Sequence, residues 1–343
     1  MQGRSTFGAL LWAVLLVAIF LGVGHQAQAQ EPTDQKVFIV VLDGARYTET
    51  FGDPLHRYIP QIWNLLRPAG TISTRYYNRG QTVTSGASAT LLTGNDMWLK
   101  QGYERLPRPF TPTLFECYRA ATGAPVSATW EVANHTRFLE GLTYSLHPNF
   151  GAPYGATWYF GPGSDYEMCQ NLSLIMDQQH PDLVFVDFHE IDKYGHEGDW
   201  DLYTRHILIA DRIVYELWRK IQRNPYYQGR TTLFVTNDHG RHTTDWTRHG
   251  DWCEGCQHVM FLALGPGIRK GYEVKTIERE HLDTAATAGW LLGVPMPYTI
   301  DGEVMTELFV SPPQVVAPER PEETLLVNVT TTGGNGLPRD TFL

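Results

Sequence analysis

The apolar positions of this chain fall in short unbroken runs rather than in long alternations. VFIVVL at 37–42, LVFVDF at 183–188, TTLFVT at 231–236 and VMFLAL at 259–264 are rich in Val, Leu, Ile or Phe. Runs of that length, bounded by polar or turn residues, predict strands buried on both faces. With a weaker run after Pro125 they predict strands over 36–42, 125–130, 183–188, 231–236 and 259–264. Helical patterns lie between them, over about 58–68, 86–93, 111–121 and 200–223. In the last, Leu202, Ile207, Ile209, Ile213, Val214, Leu217 and Ile221 recur near a helical period, and Asn224-Pro225 ends the pattern. The alternation predicts an α/β fold: a three-layer α/β/α sandwich around a largely parallel mixed sheet.

Three stretches break the alternation. From Phe7 to Val23 the chain is almost wholly apolar behind Arg4, and Ala27-Gln28-Ala29 supplies small residues at both cleavage-specifying positions. Residues 1–29 are therefore expected to be a signal peptide, too short in its apolar run to span a bilayer comfortably. The expectation is an exported protein, periplasmic or extracellular, without stable membrane insertion after cleavage. Residues 147–166, HPNFGAPYGATWYFGPGSDY, are rich in Gly, Pro and aromatics. Such a segment either packs on the domain or overhangs a site, with Tyr154, Trp158, Tyr159 and Phe160 able to stack on a substrate. After Phe309 the chain turns Pro- and Glu-rich, so 30–310 is the expected domain and 311–343 a tail.

Composition narrows the function classes. The chain has 343 residues, 42% apolar and 19% charged, with a formal net charge of −10. Removing residues 1–29 takes away one Arg and no acid, moving the charge to −11. No basic run with interleaved aromatics occurs, which disfavours a primary nucleic-acid partner. An anionic substrate would have to be drawn in by local cations rather than by the overall field. Of the four cysteines, Cys253 and Cys256 form one C-x-x-C without the second pair a zinc ribbon needs. In an oxidising compartment a local Cys253–Cys256 disulfide is the expectation, and Cys117–Cys169 the weaker one.

Acid and imidazole concentrate between Val184 and Pro266. Asp192 and His196 stand four apart in EIDKYGHEGD; Asp238 and His239 follow TTLFVT; His249 stands in TRHGDW, with His242 and His258 as nearby rivals. Asp43 ends the first strand. These six candidate ligands lie at or near strand ends, where open α/β sheets carry their chemistry. Carboxylate with imidazole suits zinc or a similar divalent metal. Earlier, GQTVTSGASATLLTG at 80–94 sets a hydroxyl cluster at the start of a predicted helix, whose free N–H groups favour an anion. A hydroxyl there, near metal, can become a nucleophile.

The order Asp43, Thr84, Asp192–His196, Asp238–His239, His249 resembles the alkaline phosphatase superfamily, most closely its nucleotide pyrophosphatase/phosphodiesterase branch, over roughly residues 36–305. Thr84 is picked out over Ser85 by counting back ten residues from the glycine of Thr93-Gly94, and His249-Gly250 and Gly265-Pro266 keep nearly the family spacing. The resemblance implies two divalent ions, zinc or alternatively manganese. One would be held by Asp43, Thr84, Asp238 and His239, the other by Asp192, His196 and His249. It also implies a small-molecule phosphate ester substrate, cleaved as a phosphodiesterase or phosphatase through a phosphothreonine on Thr84. Arg46 and Arg79 are the arginines nearest in sequence for a non-bridging phosphoryl oxygen.

The chain also departs from the family pattern. Gly86 and Ala87 stand where the diesterase branch commonly has an Asn. No C/S-x-P-x-R sulfatase motif occurs, and 95–191 is short for the large cap of the phosphomutases. The alternatives are a sulfatase-like or phosphonate hydrolase of the same superfamily, or an inactive exported binding protein.

Overall fold

The computed structural model describes residues 32–96, 99, 107–134, 139–297 and 300–311. The expected leader and most of the expected tail lie outside them. In chain order the strands are β1 (Lys36–Leu42), β2 (Thr71–Tyr77), β3 (Thr129–Asn134), β4 (Thr157–Gly161), β5 (Leu183–Phe188), β6 (Thr231–Thr236), β7 (His258–Leu264), β8 (Tyr272–Val274) and β9 (Arg279–Glu280). The helices are α1 (Thr84–Thr93), α2 (Leu114–Thr122), α3 (Asp165–Gln179), α4 (Glu190–Glu197), α5 (Trp200–Arg223), α6 (Glu254–Gln257) and α7 (His281–Leu292).

One mixed sheet orders the strands β4-β3-β5-β1-β6-β7-β2-β8, with β9 on β2. Only the pairings of β7, with β6 and β2, are antiparallel. Side chains alternate across β1 between two cores. Val37, Ile39 and Val41 pack with α1, α2 and α7 on one face. Phe38, Val40 and Leu42 pack with α3, α5 and residues 60–69 on the other. This is the expected three-layer α/β/α sandwich, and the apolar runs mark its central strands because both faces of each are covered.

Several expectations are corrected. The strand expected at 125–130 starts four residues later, because Pro125 opens a short 3-10 turn over Val126–Ala128. The helix expected over 58–68 is instead a π-helical turn, Ile62–Leu66, running into a 3-10 turn at Arg67–Ala69 that contains Pro68. Residues 157–161 are not loop but the edge strand β4, with Phe160 and Tyr159 packed on the two cores and Trp158 half exposed. Trp158 stacks on Phe160 at 5.1 Å, and the Tyr159 hydroxyl accepts from Asn171 at 2.8 Å. Tyr154 precedes β4, at the N-terminal ends of the parallel strands, the end opposite Asp43 and Asp238. All four cysteines are free thiols. Cys117 and Cys169 cannot pair, since α2 and α3 lie on opposite faces of the sheet. The Cys253 sulfur accepts the Thr243 N–H at 3.4 Å.

One buried charge makes a stability prediction. Glu131 on β3 is fully buried, and neither carboxyl oxygen has a hydrogen-bond partner. Burial pushes its carboxyl well above the usual 4.5, so the fold keeps a proton that the unfolded chain gives up. Stability from this group is complete below the unfolded value and is lost as pH rises toward the folded one. Glu131→Gln is therefore expected to gain on the parent by about 1.4 kcal/mol per pH unit over that window. Thermal unfolding at pH 4 and pH 8 checks it; a difference independent of pH would refute the account.

Candidate metal centre and nucleophile

The site forms where β1, β5 and β6 end side by side. Val41 is level with Asp187 on β5 and with Thr236 on β6. Asp43, just past β1, therefore faces the turns that follow both neighbours, and its N–H donates to Phe188 O at 3.1 Å. Asn237 braces this end: its Nδ2 donates to Leu42 O at 3.0 Å, and its Oδ1 accepts the Met260 N–H at 3.0 Å. Because β7 runs antiparallel to β6, the 237–257 connection stays at this end of the sheet and delivers Asp238, His239 and His249 together.

In the first set each candidate ligand has one atom fixed by protein and another left facing the centre. Asp238 Oδ1 accepts N–H groups from Gly44 at 3.0 Å and His239 at 2.7 Å. Its Oδ2 has no hydrogen-bond partner and lies 3.1 Å from His239 Nε2. His239 Nδ1 bonds Gly240 O at 2.8 Å, turning Nε2, also unpartnered, toward Asp43 Oδ1 at 3.5 Å. Asp43 Oδ2 meets His189 Nδ1 at 2.9 Å, while Oδ1 is unpartnered and buried. Three buried atoms of ligand chemistry thus converge with nothing protein-derived between them. Buried polar atoms normally find partners, so this set fits a cation.

The second set adjoins it. Asp192, His196 and His249 offer ligand atoms all within 4.8 Å of one another, and Asp192 is equally close to Asp43 and His239. His196 Nε2 lies 2.8 Å from His249 Nε2 and 3.2 Å from Asp192 Oδ2. His249 Nδ1 bonds Thr82 O at 2.9 Å, leaving Nε2 inward, and the His249 ring stacks on His239 at 3.9 Å. The rivals are occupied otherwise. His258 is sandwiched by Tyr47 and Tyr77 at 3.6 and 4.6 Å, and His242 pairs with Asp251 at 3.0 Å.

The electrostatics separate the two sets. Burial first, then the carboxylates of Asp238, Asp192 and Asp187, pushes Asp43 well above the usual carboxylate range. Asp238 is pushed up to about 7, chiefly by burial. Burial also holds the imidazoles of His239 and His249 below their ordinary value, in the neutral form that ligates metal. At Asp192 burial acts upward too, but the His196 hydrogen bond and the Arg241 guanidinium outweigh it, and the carboxyl sits well below the usual range.

Thr84 opens α1 behind Val83, and the first intrahelical donor is Ala87 N, to Val83 O at 2.9 Å. The bond from His249 to Thr82 O ties this helix start to the second set. Ser85 is fully buried with its hydroxyl unpartnered, while Thr84 keeps 8% exposure. Gly86 is demanded by packing: a Cβ there would lie 2.6 Å from Gln81 Cβ.

The two arginines singled out by sequence proximity are engaged elsewhere. Arg46 forks onto Glu49 at 2.8 and 2.9 Å; Arg79 reaches Gln257 at 2.9 Å and Glu278 at 2.6 Å. The arginine at the centre is Arg241, wholly buried, with Nη1 on Asp192 Oδ1. Its only sign in the sequence is its place two residues after His239.

Residues 116–295 match the family model of the metalloenzyme superfamily, a span that contains Asp192, His196, Asp238, His239 and His249. A 2,3-bisphosphoglycerate-independent phosphoglycerate mutase of Legionella pneumophila is 23% identical over 212 residues, 59% of this chain and 40% of that protein. A sulfatase of Metarhizium majus is 32% identical over 99 residues, 28% of this chain and 23% of that one. The chain thus spans less than half the length of the curated relatives it matches. Among solved structures, a 2-O GAG sulfatase superimposes with a TM-score of 0.61 at 13% identity, covering 80% of this chain and 74% of that one. The phosphonate monoester hydrolase of Agrobacterium radiobacter gives 0.54 at 15%, covering 82% and 78%. Murine ectonucleotide pyrophosphatase/phosphodiesterase 5, solved as an inactive variant with AMP, gives 0.56 at 15%, covering 76% and 96%. At these identities the superpositions establish a shared fold.

Proposed function

Because this chain belongs to the metalloenzyme superfamily, we propose that it is an exported hydrolase of small phosphoric esters, with two metal ions and Thr84 as nucleophile. The observation that carries the reading is the convergence of Asp43 Oδ1, Asp238 Oδ2 and His239 Nε2, buried and unpartnered, beside the Asp192–His196–His249 set. The first set, with the Thr84 hydroxyl, would hold one ion; the second set would hold the other. Zinc suits this carboxylate and imidazole donor set, with manganese the alternative. Divalent ions bound there supply Lewis-acid stabilisation of the anionic phosphoryl oxygens and of the leaving alkoxide, and ease deprotonation of a hydroxyl.

The chain's own residues supply the remainder. Thr84 Oγ1 bonds to phosphorus as its proton passes to solvent, and the ester oxygen leaves with its electron pair and takes up a proton from water. Water then cleaves the phosphothreonine, releasing phosphate from a monoester or a phosphate monoester from a diester, and returns the proton to the Thr84 oxygen. Arg241 takes no part in holding the phosphoryl group, since its fork is spent on Asp192 and on backbone carbonyls. The space after the nucleophile that the diesterase branch gives to Asn is filled here by Gln81 over Gly86. Monoesters therefore stand beside diesters as substrates.

The test is a hydrolysis panel on the mature, zinc-loaded protein: p-nitrophenyl phosphate, bis-p-nitrophenyl phosphate, a phosphonate monoester and an aryl sulfate. Phosphate ester turnover should exceed aryl sulfate turnover. Chelation should abolish it and zinc restore it, with elemental analysis finding about two ions per chain. A metal-free preparation at full activity would end the reading, and a preference for the sulfate or phosphonate would move the chain to another branch. Among the described residues no helix is long and apolar enough to cross a membrane. Export itself is checked by the N-terminus of secreted material, expected near Gln30.

A further inference from the structure

The two metal sets differ in charge, and Arg241 is the reason. In the first set the carboxylates of Asp43 and Asp238 flank the imidazole of His239, for a formal charge of −2. In the second, the single carboxylate of Asp192 is matched by the guanidinium of Arg241, for a formal charge of zero with two imidazoles. Arg241 is wholly enclosed, and its Nη1 sits on Asp192 Oδ1, the same oxygen that lies 3.5 Å from His249 Nε2. The remaining donors clamp the backbone around it: Nε to Trp246 O, and Nη2 to Asp192 O at 3.4 Å and Thr247 O at 3.3 Å.

The neighbourhood is built around this pair. A Cβ at Gly44 would lie 2.6 Å from Asp192 Oδ1 and 2.8 Å from Arg241 Nη1, and one at Gly195 would collide with the guanidinium itself. The Arg241 guanidinium brings a full positive charge against this oxygen. It repels a divalent ion at the second set and withdraws one of the carboxylate oxygens that ion would use. A unit charge a few ångströms from a divalent ion in a partly buried site weakens its binding by about tenfold or more, even at the higher effective dielectric of proteins.

We propose that Arg241 makes the Asp192–His196–His249 site the weak, exchangeable one of the pair, so that its ion leaves well before the ion held by Asp43, Asp238 and His239. This rests on the two-metal reading above and gives the two sites different tasks in metal economy: one ion is resident, the other answers to the supply of free metal.

The experiment is a chelator titration of zinc-loaded full-length protein, with bound metal counted by elemental analysis and activity not used as the readout. The unmodified protein should lose one ion in a first step, separated from the second by at least about tenfold in free metal. His249→Ala should lack that first step and His239→Ala the second. Arg241→Lys keeps the charge and should keep the gap; Arg241→Met, of similar length and neutral, should narrow it by about tenfold or more. Two ions leaving together from the unmodified protein would overturn the inference, as would Arg241→Lys closing the gap. Arg241→Met failing to hold the ion of the Asp192–His196–His249 set, with its thermal unfolding unchanged, would do the same, by showing that Arg241 holds the site together rather than weakening it. If Arg241→Met does not fold, the stepwise release and the lysine variant still decide. Fewer than two ions at saturation would instead sink the two-metal reading itself.

Discussion

Thr84→Ala is expected to lose turnover by on the order of 10⁴-fold while taking up its normal complement of metal. The hydroxyl stands at the first position of α1, ahead of the first intrahelical donor, Ala87 N. An anion approaching that turn meets N–H groups the helix does not use and the positive end of its dipole. Asp43, Asp238, His239 and the second set are fixed without Thr84's help, through Gly44, Gly240 and Thr82, so removing one hydroxyl leaves them in place. Thr84→Ser should retain part of the rate, since only a methyl is lost. Ser85→Ala should be mild, because the Ser85 hydroxyl is sealed inside the α1 packing, fully buried. Acid quenching during turnover should trap phosphate on the peptide that contains Thr84. Phosphate on Ser85, with Thr84→Ala active, would transfer the role to its neighbour. No covalent phosphate, with Thr84→Ala at full rate, would point to direct attack by water.

What the sequence discloses depends on how each element is buried. β1, β5 and β6 fall where their apolar runs lie because helices cover both faces and no position needs to be polar. β2, TISTRYY, hides because it mixes Thr, Ser and Arg into a strand nearer the sheet's edge. β4 hides because Thr157–Gly161 lies within a Gly- and Pro-rich stretch that reads as loop. α1 is buried at all ten positions, so it has small residues instead of an apolar stripe, and α7 is built in the same way. α3 was legible in principle: Ser164 and Glu167 form a capping box, a four-residue sign of a helix start.

The centre follows the same logic. Residues able to ligate metal are few, of restricted chemistry and here gathered at strand ends, so the candidates Asp43, Asp192, His196, Asp238, His239 and His249 stand out as an ordered set. Between His242, His249 and His258 residue chemistry alone offers no choice, and the preference for His249 rests on the family spacing of His249-Gly250. His258 goes to an aromatic stack, His242 to Asp251, and His249 to the set with Asp192. Arg241 and His189 carry no pattern at all. A buried arginine is defined by the carbonyls and carboxylate it happens to meet, which only the folded chain brings together. Nearness in sequence pointed to Arg46 and Arg79, but local acids such as Glu49 and Glu278 claim them.

Substituting the ligands should separate the two sets by more than rate. Asp238→Ala, His239→Ala, His196→Ala and His249→Ala are each expected to cost about 10³-fold or more in turnover, and each to lower bound metal by about one ion. Their structural costs should differ. Asp238→Ala leaves the Gly44 and His239 N–H groups without the acceptor that now serves both, and buried donors left unmade cost about 1–3 kcal/mol each. His239 is wholly buried against the His249 ring, so its removal also opens a cavity. The His196 side chain is half exposed and bonds only within the set, so His196→Ala should unfold at nearly the parent's temperature. The chemical consequences should differ as well. If the second set serves the departing oxygen, His196→Ala and His249→Ala should suffer most with poor leaving groups and least with p-nitrophenolate. If the first set serves the nucleophile, Asp238→Ala and His239→Ala should lose similar factors across a leaving-group series. Equal sensitivity in all four variants would mean that the two sets do not divide the reaction in this way.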